Sequence, residues 1–378
     1  MTPRERLLTV LRGGIPDRVP VSPDFSNMIP ARLTGVPFWE IYLYNNPPIW
    51  EAYIECAKHF GIDALMDGYF PLTFPEEVAQ DQGEWENFIV YKDDDRIVVQ
   101  SSRLHNGSRQ WHNYVDVYYA ADPPTLELDP GKIGLPAVPE HPVALEGVKP
   151  VDTGPEGLKQ IMQHMGDSGL VGVSVTSSCA LCCEKDIFYY YDHPQEHERM
   201  AWERLDQAEA RFARILAMEV KPDFICVGGS GTLVFQTASI FRQLTYPAVA
   251  RSIELAETAG LPSHLHSCGP EKELVRIMAE ETELTVIDPL ETPPMGDCDL
   301  SDLKREFGRD IVLKGNLHTT EVMLKGTPMT VAEKSRTAIE DAAEGGRFIL
   351  STGDQCGRDT PDENIFAMVD AVERYGRY

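Results

Sequence analysis

His266-Ser267-Cys268, followed far downstream by Cys356 in the stretch Ser351-Thr-Gly-Asp-Gln-Cys-Gly, are the residues of this chain best suited to chemistry. A His and a Cys at i and i+2 on a strand point to the same face. A second Cys arriving from another strand end completes a His/Cys/Cys set, three protein ligands for a zinc ion with a fourth position open. Structural zinc sites close with four protein ligands brought in local pairs, so this arrangement reads as catalytic. Spacing alone does not decide it, because a chain with 8 Cys and 10 His yields such trios by chance. The elements that position the trio decide more.

Short apolar runs recur at residues 18–24, 64–68, 170–176, 224–229, 262–268, 284–288, 310–316 and 347–353, each ending in small or polar residues. Amphipathic segments at helical spacing lie between them, as at 195–218, 248–259, 271–281 and 331–343. Apolar runs alternating with such helices are the pattern of parallel strands buried on both faces. They predict an α/β fold, a (β/α)8 TIM barrel forming one domain over residues 1–378. One stretch breaks the alternation. Two β-rich runs flank the turn Asp93-Asp94-Asp95 and predict a hairpin with a third strand after it. The Pro-rich segment 122–150 then reads as an irregular connector. Residues 84–150 are therefore expected to be a β-hairpin insertion after the second strand, on the face where barrel active sites form. In this frame His266 and Cys268 end the fifth strand and Cys356 follows the eighth. Those ends look towards each other across the barrel mouth.

Composition narrows the partners. Hydrophobic residues make up 42% and charged residues 25%, ordinary globular values, but the net charge is −26. That excess argues against nucleic acid and anionic lipid, and favours partners with basic surfaces. No apolar run approaches the ~20 residues of a membrane span, and the opening lacks a signal-peptide pattern. Eight Cys in such a chain predict reduced thiols and a cytoplasmic location. The oligomeric state is open, a homodimer included.

The chain resembles the uroporphyrinogen decarboxylase superfamily, and within it the zinc- and corrinoid-dependent methyltransferase branch. The resemblance rests on the opening Arg6-Leu-Leu-Thr-Val-Leu-Arg-Gly-Gly-Ile-Pro-Asp-Arg-Val-Pro-Val, on His266-Ser-Cys-Gly, on Lys314-Gly-Asn-Leu and on Leu350-Ser-Thr-Gly-Asp-Gln-Cys. It implies zinc held by His266, Cys268 and Cys356, and a corrinoid carried by a partner protein. A decarboxylase of that superfamily clamps its substrate carboxylates with a short Arg-containing motif after the first strand. The corresponding stretch here, Pro23-Asp-Phe-Ser-Asn-Met-Ile-Pro-Ala-Arg, lacks the Arg pair.

Other residues at strand ends are candidates beside bland alternatives. Asp24 and Asn27 could supply a fourth zinc ligand, a catalytic group or a substrate hydrogen bond, or Asp24 could cap the next helix. Glu291 follows the sixth strand and Asn316 the seventh, where they would touch substrate or take part in catalysis. Asp354 is positioned to support a ligand from behind. Tyr69, with Trp111 and its aromatic neighbours Trp85, Tyr114 and Tyr118, would wall an apolar methyl donor, or would merely pack the insertion. His264 shares a face with His266 but lies deeper in the strand. Cys179, Cys182 and Cys183 look like a metal motif without a second pair, and thiols at such a position commonly pack as apolar groups.

Two chemistries follow from the resemblance. In one, zinc polarises the heteroatom of a methyl donor such as a phenyl methyl ether, and the methyl passes to a Co(I) corrinoid on a partner protein. In the other, a thiol of the coenzyme M kind takes the methyl from methyl-cobalt. A decarboxylase-like enzyme without methyl transfer is a third reading, and a barrel with purely structural zinc a fourth.

Overall fold

Strand β1 (Ala64–Met66) is the first regular strand in the computed structural model, which describes residues 1–77 and 85–378. Glu84, the predicted first residue of the insertion, lies outside the described residues. Next in the chain come β2 (Glu86–Lys92), β3 (Arg96–His105), β4 (Ser108–Trp111), β5 (Val115–Tyr119), β6 (Thr125–Leu128) and β7 (Val143–Ala144). The remaining strands are β8 (Gly169–Ser174), β9 (Phe224–Cys226), β10 (Ser263–His266), β11 (Val286–Asp288), β12 (Val312–Leu317) and β13 (Phe348–Thr352). The chain divides into two compact units, the first comprising 1–26, 57–71 and 158–378 and the second 27–56 and 72–157.

The first unit is the barrel. Its parallel sheet runs β1-β8-β9-β10-β11-β12-β13, with helices such as Tyr246–Ala259, Lys272–Glu281 and Pro328–Ala342 between strands. Residues 19–22 close it. Val21 bridges Leu350 in parallel, the Ser22 N–H donates to the Leu350 carbonyl at 2.9 Å, and the Asp63 N–H donates to the Val21 carbonyl at 2.8 Å. The predicted first strand is thus present only as a bridging segment. Pro20 and Pro23 explain this, because neither has an N–H to give to a ladder.

Two interior levels follow from the period-2 alternation of side chains. The lower one is apolar: Leu65, Leu170, Phe224, Val286, Val312 and Ile349 pack on Leu7, Val10 and Leu11 of the helix Pro3–Leu11. Two residues further along the same strands stand Asp67, Cys226, Asp288, Lys314 and Ser351. The barrel therefore rests on a hydrophobic plug and turns polar towards its C-terminal mouth, where barrel active sites form.

The opening motif has a structural task. Asp63 is fully buried and takes ion pairs from both Arg6 and Arg18, while its Oδ2 accepts from the Val21 N–H at 2.8 Å. One carboxylate thus ties the N-terminal helix and the closing segment to the strand that begins beside it. Removing one partner of a buried pair leaves the other charge uncompensated, at about 3–5 kcal/mol. Asp63→Ala is expected to destabilise the barrel by that amount, read from the urea midpoint of unfolding.

The second unit holds an antiparallel sheet, β6-β5-β3-β2-β7, with β4 paired to β3. The predicted hairpin is β2–β3, and Asp93 shapes its turn by accepting from the Asp95 and Arg96 N–H groups at 3.0 and 2.8 Å. Successive residues of β3 bury opposite faces, Ile97 and Val99 with Leu43 on one and Val98 with Val115 and Val117 on the other. The Pro-rich segment 122–150 contributes the short strands β6 and β7 to this sheet. Among the described residues no helix is long and apolar enough to cross a membrane.

Candidate active site at the barrel mouth

His266 ends β10, and its register neighbour on β11 is Asp288. Asp288 is buried and its Oδ1 faces two imidazoles, His264 Nε2 at 2.9 Å and His266 Nδ1 at 3.2 Å, while Oδ2 pairs with the buried ammonium of Lys314. Burial works against an ionised Asp288, but Lys314 and the two histidines hold it well below the usual carboxylate range. A carboxylate only accepts, so His266 donates from Nδ1 and its Nε2 is the nitrogen left for the mouth, while, against the effect of burial, Asp288 raises the imidazole well above its usual pKa.

Groups from three more strand ends stand at the mouth with His266. The ligand atoms of Asp24, His266 and Asp354 lie within 4.8 Å of one another, as do those of Cys268, Glu291 and Asp354. Asp354 Oδ1 is 3.8 Å from His266 Nε2. Asp354 belongs to both groups and sits at φ +97°, a conformation that costs an L-residue about 1–3 kcal/mol. Asp24 Oδ2 is 3.8 Å from His266 Nδ1, and burial raises its pKa to about 6 against the pull of Lys314 and His266. Glu291 is buried, which raises its pKa, and its Oε2 accepts the Gly269 N–H at 2.5 Å, steadying the turn after Cys268.

The predicted residues are distributed as follows. His266, Cys268, Asp24, Asp354 and Glu291 come together. Cys356 lies beside them in the chain, its N–H donating to the Asp24 carbonyl at 2.9 Å, but its thiol is fully buried and hydrogen-bonded with Thr352 and Thr360. That burial pushes the thiol up to about 12, and its sulfur is outside both groups of ligand atoms. Asn316 donates from Nδ2 to the Leu290 carbonyl at 3.0 Å, bracing the loop that carries Glu291. The Tyr69 hydroxyl donates to the Phe25 carbonyl at 2.6 Å, bracing the loop that carries Asp24. Asn27 and Trp111 belong to the second unit. There Trp85 stacks on His112 with centroids 3.7 Å apart, His112 on Tyr114 at 4.6 Å, and Trp111 packs edge-on against Phe88 at 5.3 Å. Cys179 is half-buried while Cys182 and Cys183 are exposed.

Sequence reasoning missed Asp288 and Lys314. Their signal was present, since each is a charge at an inward position of an otherwise apolar run.

One imidazole, one thiol and nearby carboxylates form an N/S/O donor set suited to zinc, with the imidazole oriented by a carboxylate as zinc-bound histidines are. The residues present fit the ion that the resemblance implies.

Comparison with known proteins agrees with this architecture. Residues 189–375, just under half of the chain, match the family model "Uroporphyrinogen decarboxylase (URO-D)". A uroporphyrinogen decarboxylase of Pseudoalteromonas translucida (strain TAC 125) is 30% identical over 76 residues, 20% of this chain and 21% of that protein's length. A methyltransferase from Methanosarcina mazei shares the fold with a TM-score of 0.59 at 19% identity, over 99% of both chains. A B12-independent methionine synthase from Shewanella sp. W3-18-1 aligns with a TM-score of 0.44 at 12% identity, over 94% of this chain and 97% of that one. The match to the uroporphyrinogen decarboxylase family model thus spans residues 189–375, and the fold is shared along the length with the Methanosarcina mazei methyltransferase.

Proposed function

We propose that this chain is a zinc-dependent methyltransferase that moves a methyl group from a small donor, a phenyl methyl ether, to the Co(I) corrinoid of a partner protein. The observation that carries this reading is the gathering at the mouth of Asp24, His266 and Asp354, and of Cys268, Glu291 and the same Asp354, with His266 oriented by Asp288. The family match and the fold shared with a methyltransferase support it. His266, Cys268 and the Asp354 carboxylate would hold the ion, and Cys356 is the further thiol that the resemblance supplies. When bound, zinc supplies Lewis acidity to the methyl-bearing oxygen.

The chain's own groups do the rest. Asp288 keeps the proton on His266 Nδ1, so that Nε2 stays a donor. Asp24, its pKa raised to about 6, is placed to pass a proton to the departing phenolate oxygen. Glu291 and Asn316 fix the loops on either side. A net charge of −26 suits a partner that docks through a basic face.

The test compares zinc-loaded with chelator-treated protein, each incubated without oxygen with phenyl methyl ethers and a Co(I) corrinoid protein. Zinc-dependent release of the phenol is expected. No phenol from any ether, with a thiol demethylating methyl-cobalt instead, would reverse the direction of transfer.

A further inference from the structure

Asp288 Oδ1 serves two imidazoles, and only one of them belongs to the site above. His264 is 2% exposed and directs Nε2 to Asp288 at 2.9 Å. Since the carboxylate accepts, that nitrogen carries the proton and Nδ1 is left as the second nitrogen. Nδ1 is buried and pairs with Asp67 Oδ2 at 3.0 Å, at an angle that falls short of a regular hydrogen bond. An imidazole nitrogen facing a carboxylate oxygen at that separation can share either a proton or a metal cation with it. The Cys226 thiol completes the group. Cys226 is the register neighbour of His264 on β9, it hydrogen-bonds Asp67, and the ligand atoms of Asp67, Cys226 and His264 lie within 4.8 Å of one another.

The same donor types stand on both sides of Asp288. Outside it His266 groups with Asp24 and Asp354, and Cys268 groups with Glu291 and Asp354. Inside it are His264, Cys226 and Asp67. One carboxylate therefore orients both histidines, and their second nitrogens face different carboxylates, Asp67 for His264 and Asp354 for His266, the support that metal-bound histidines usually receive. We propose that Asp67, Cys226 and His264 form a second, inner binding site for a divalent cation of the zinc class, beneath the mouth and joined to the outer site through Asp288. The N/S/O donor set selects that class over magnesium or calcium, which prefer oxygen alone. Binding the ion there displaces the Cys226 thiol proton, because the thiolate is the ligand. Entry is through Asp67, whose side chain is 28% exposed where those of His264 and Asp288 are sealed.

This inference does not depend on methyl transfer, and its test separates the two sites. The full-length protein is stripped by chelation, titrated with Zn(II) and with Co(II), and analysed for bound metal and for thiolate-to-cobalt charge transfer. About two equivalents are expected. Asp67→Asn and Cys226→Ala are each expected to lose one of them, the other being lost in Cys268→Ala. Asp67→Asn alters the partly exposed ligand and serves if Cys226→Ala does not fold. In Cys268→Ala a thiolate–cobalt band from Cys226 should persist. A single equivalent that survives Asp67→Asn and Cys226→Ala but vanishes in Cys268→Ala overturns the inner site and leaves the outer reading intact. A single equivalent with the opposite pattern supports the inner site and removes the outer one.

Discussion

Cys268→Ala is expected to strip the metal from the barrel mouth and to slow methyl transfer about 10³-fold or more. The magnitude follows from the Lewis acidity at stake, several kcal/mol of transition-state stabilisation, of which about 4 kcal/mol corresponds to three decades in rate. Cys268 is half-buried on the turn after β10, and its removal opens no core cavity. Unfolding free energy should therefore change by no more than about 0.5 kcal/mol, as for substitutions away from the core. Two companions identify the other ligands by metal analysis. If Cys356→Ala loses zinc, the Cys356 thiol leaves Thr352 and Thr360 to reach the ion. If Cys356→Ala retains zinc and Asp354→Ala loses it, the third ligand is the carboxylate already 3.8 Å from His266 Nε2.

Asp288→Asn carries the second large effect, because it acts on orientation and on a buried charge together. A neutral amide is a weaker acceptor for His266 Nδ1, and loss of such a supporting carboxylate typically costs about 10–100-fold in metal affinity. The same change leaves the Lys314 ammonium, 5% exposed, without its carboxylate, a destabilisation of about 3–5 kcal/mol. The double variant Asp288→Asn/Lys314→Met separates the two effects. It removes the unpaired charge, so urea unfolding should recover most of the lost stability. Zinc affinity, measured by competition with a chromophoric chelator, should stay low. Recovery of both would mean that Asp288 serves only to neutralise Lys314.

The barrel was legible because its strands are buried on both faces and so appear as apolar runs, with amphipathic helices between them. The segment at 19–22 was the exception, its prolines allowing a bridge but no regular strand. The second unit was legible as a hairpin, since the Asp93 turn is local chemistry. The strands β6 and β7 were not, because four and two residues in a Pro-rich stretch carry no readable period. At the site, strand-end positions of His266, Cys268, Asp24, Glu291 and Asp354 could be read from where each run stops. What no single run reveals is the step from Leu65 to Asp67, Phe224 to Cys226, Val286 to Asp288 and Val312 to Lys314. That step marks the level at which the barrel interior changes from hydrocarbon to charge, and it emerges only when the strands are aligned in register. Side-chain direction was beyond the sequence too. Tyr69 and Asn316 hydrogen-bond backbone carbonyls, and the turn of the Cys356 thiol towards two threonines depends on packing.

The central claim is that a methyl group leaves an ether oxygen at this mouth and arrives on cobalt. A single-turnover reaction tests it most directly: zinc-loaded protein, a Co(I) corrinoid protein and a phenyl methyl ether with an isotope-labelled methyl, followed by cobalt absorbance and by the fate of the label. The account predicts loss of the Co(I) spectrum with the label appearing on cobalt in step with phenol, and neither change in Cys268→Ala. Label that stays on the ether while Co(I) persists, or transfer that proceeds unchanged in Cys268→Ala, would contradict it.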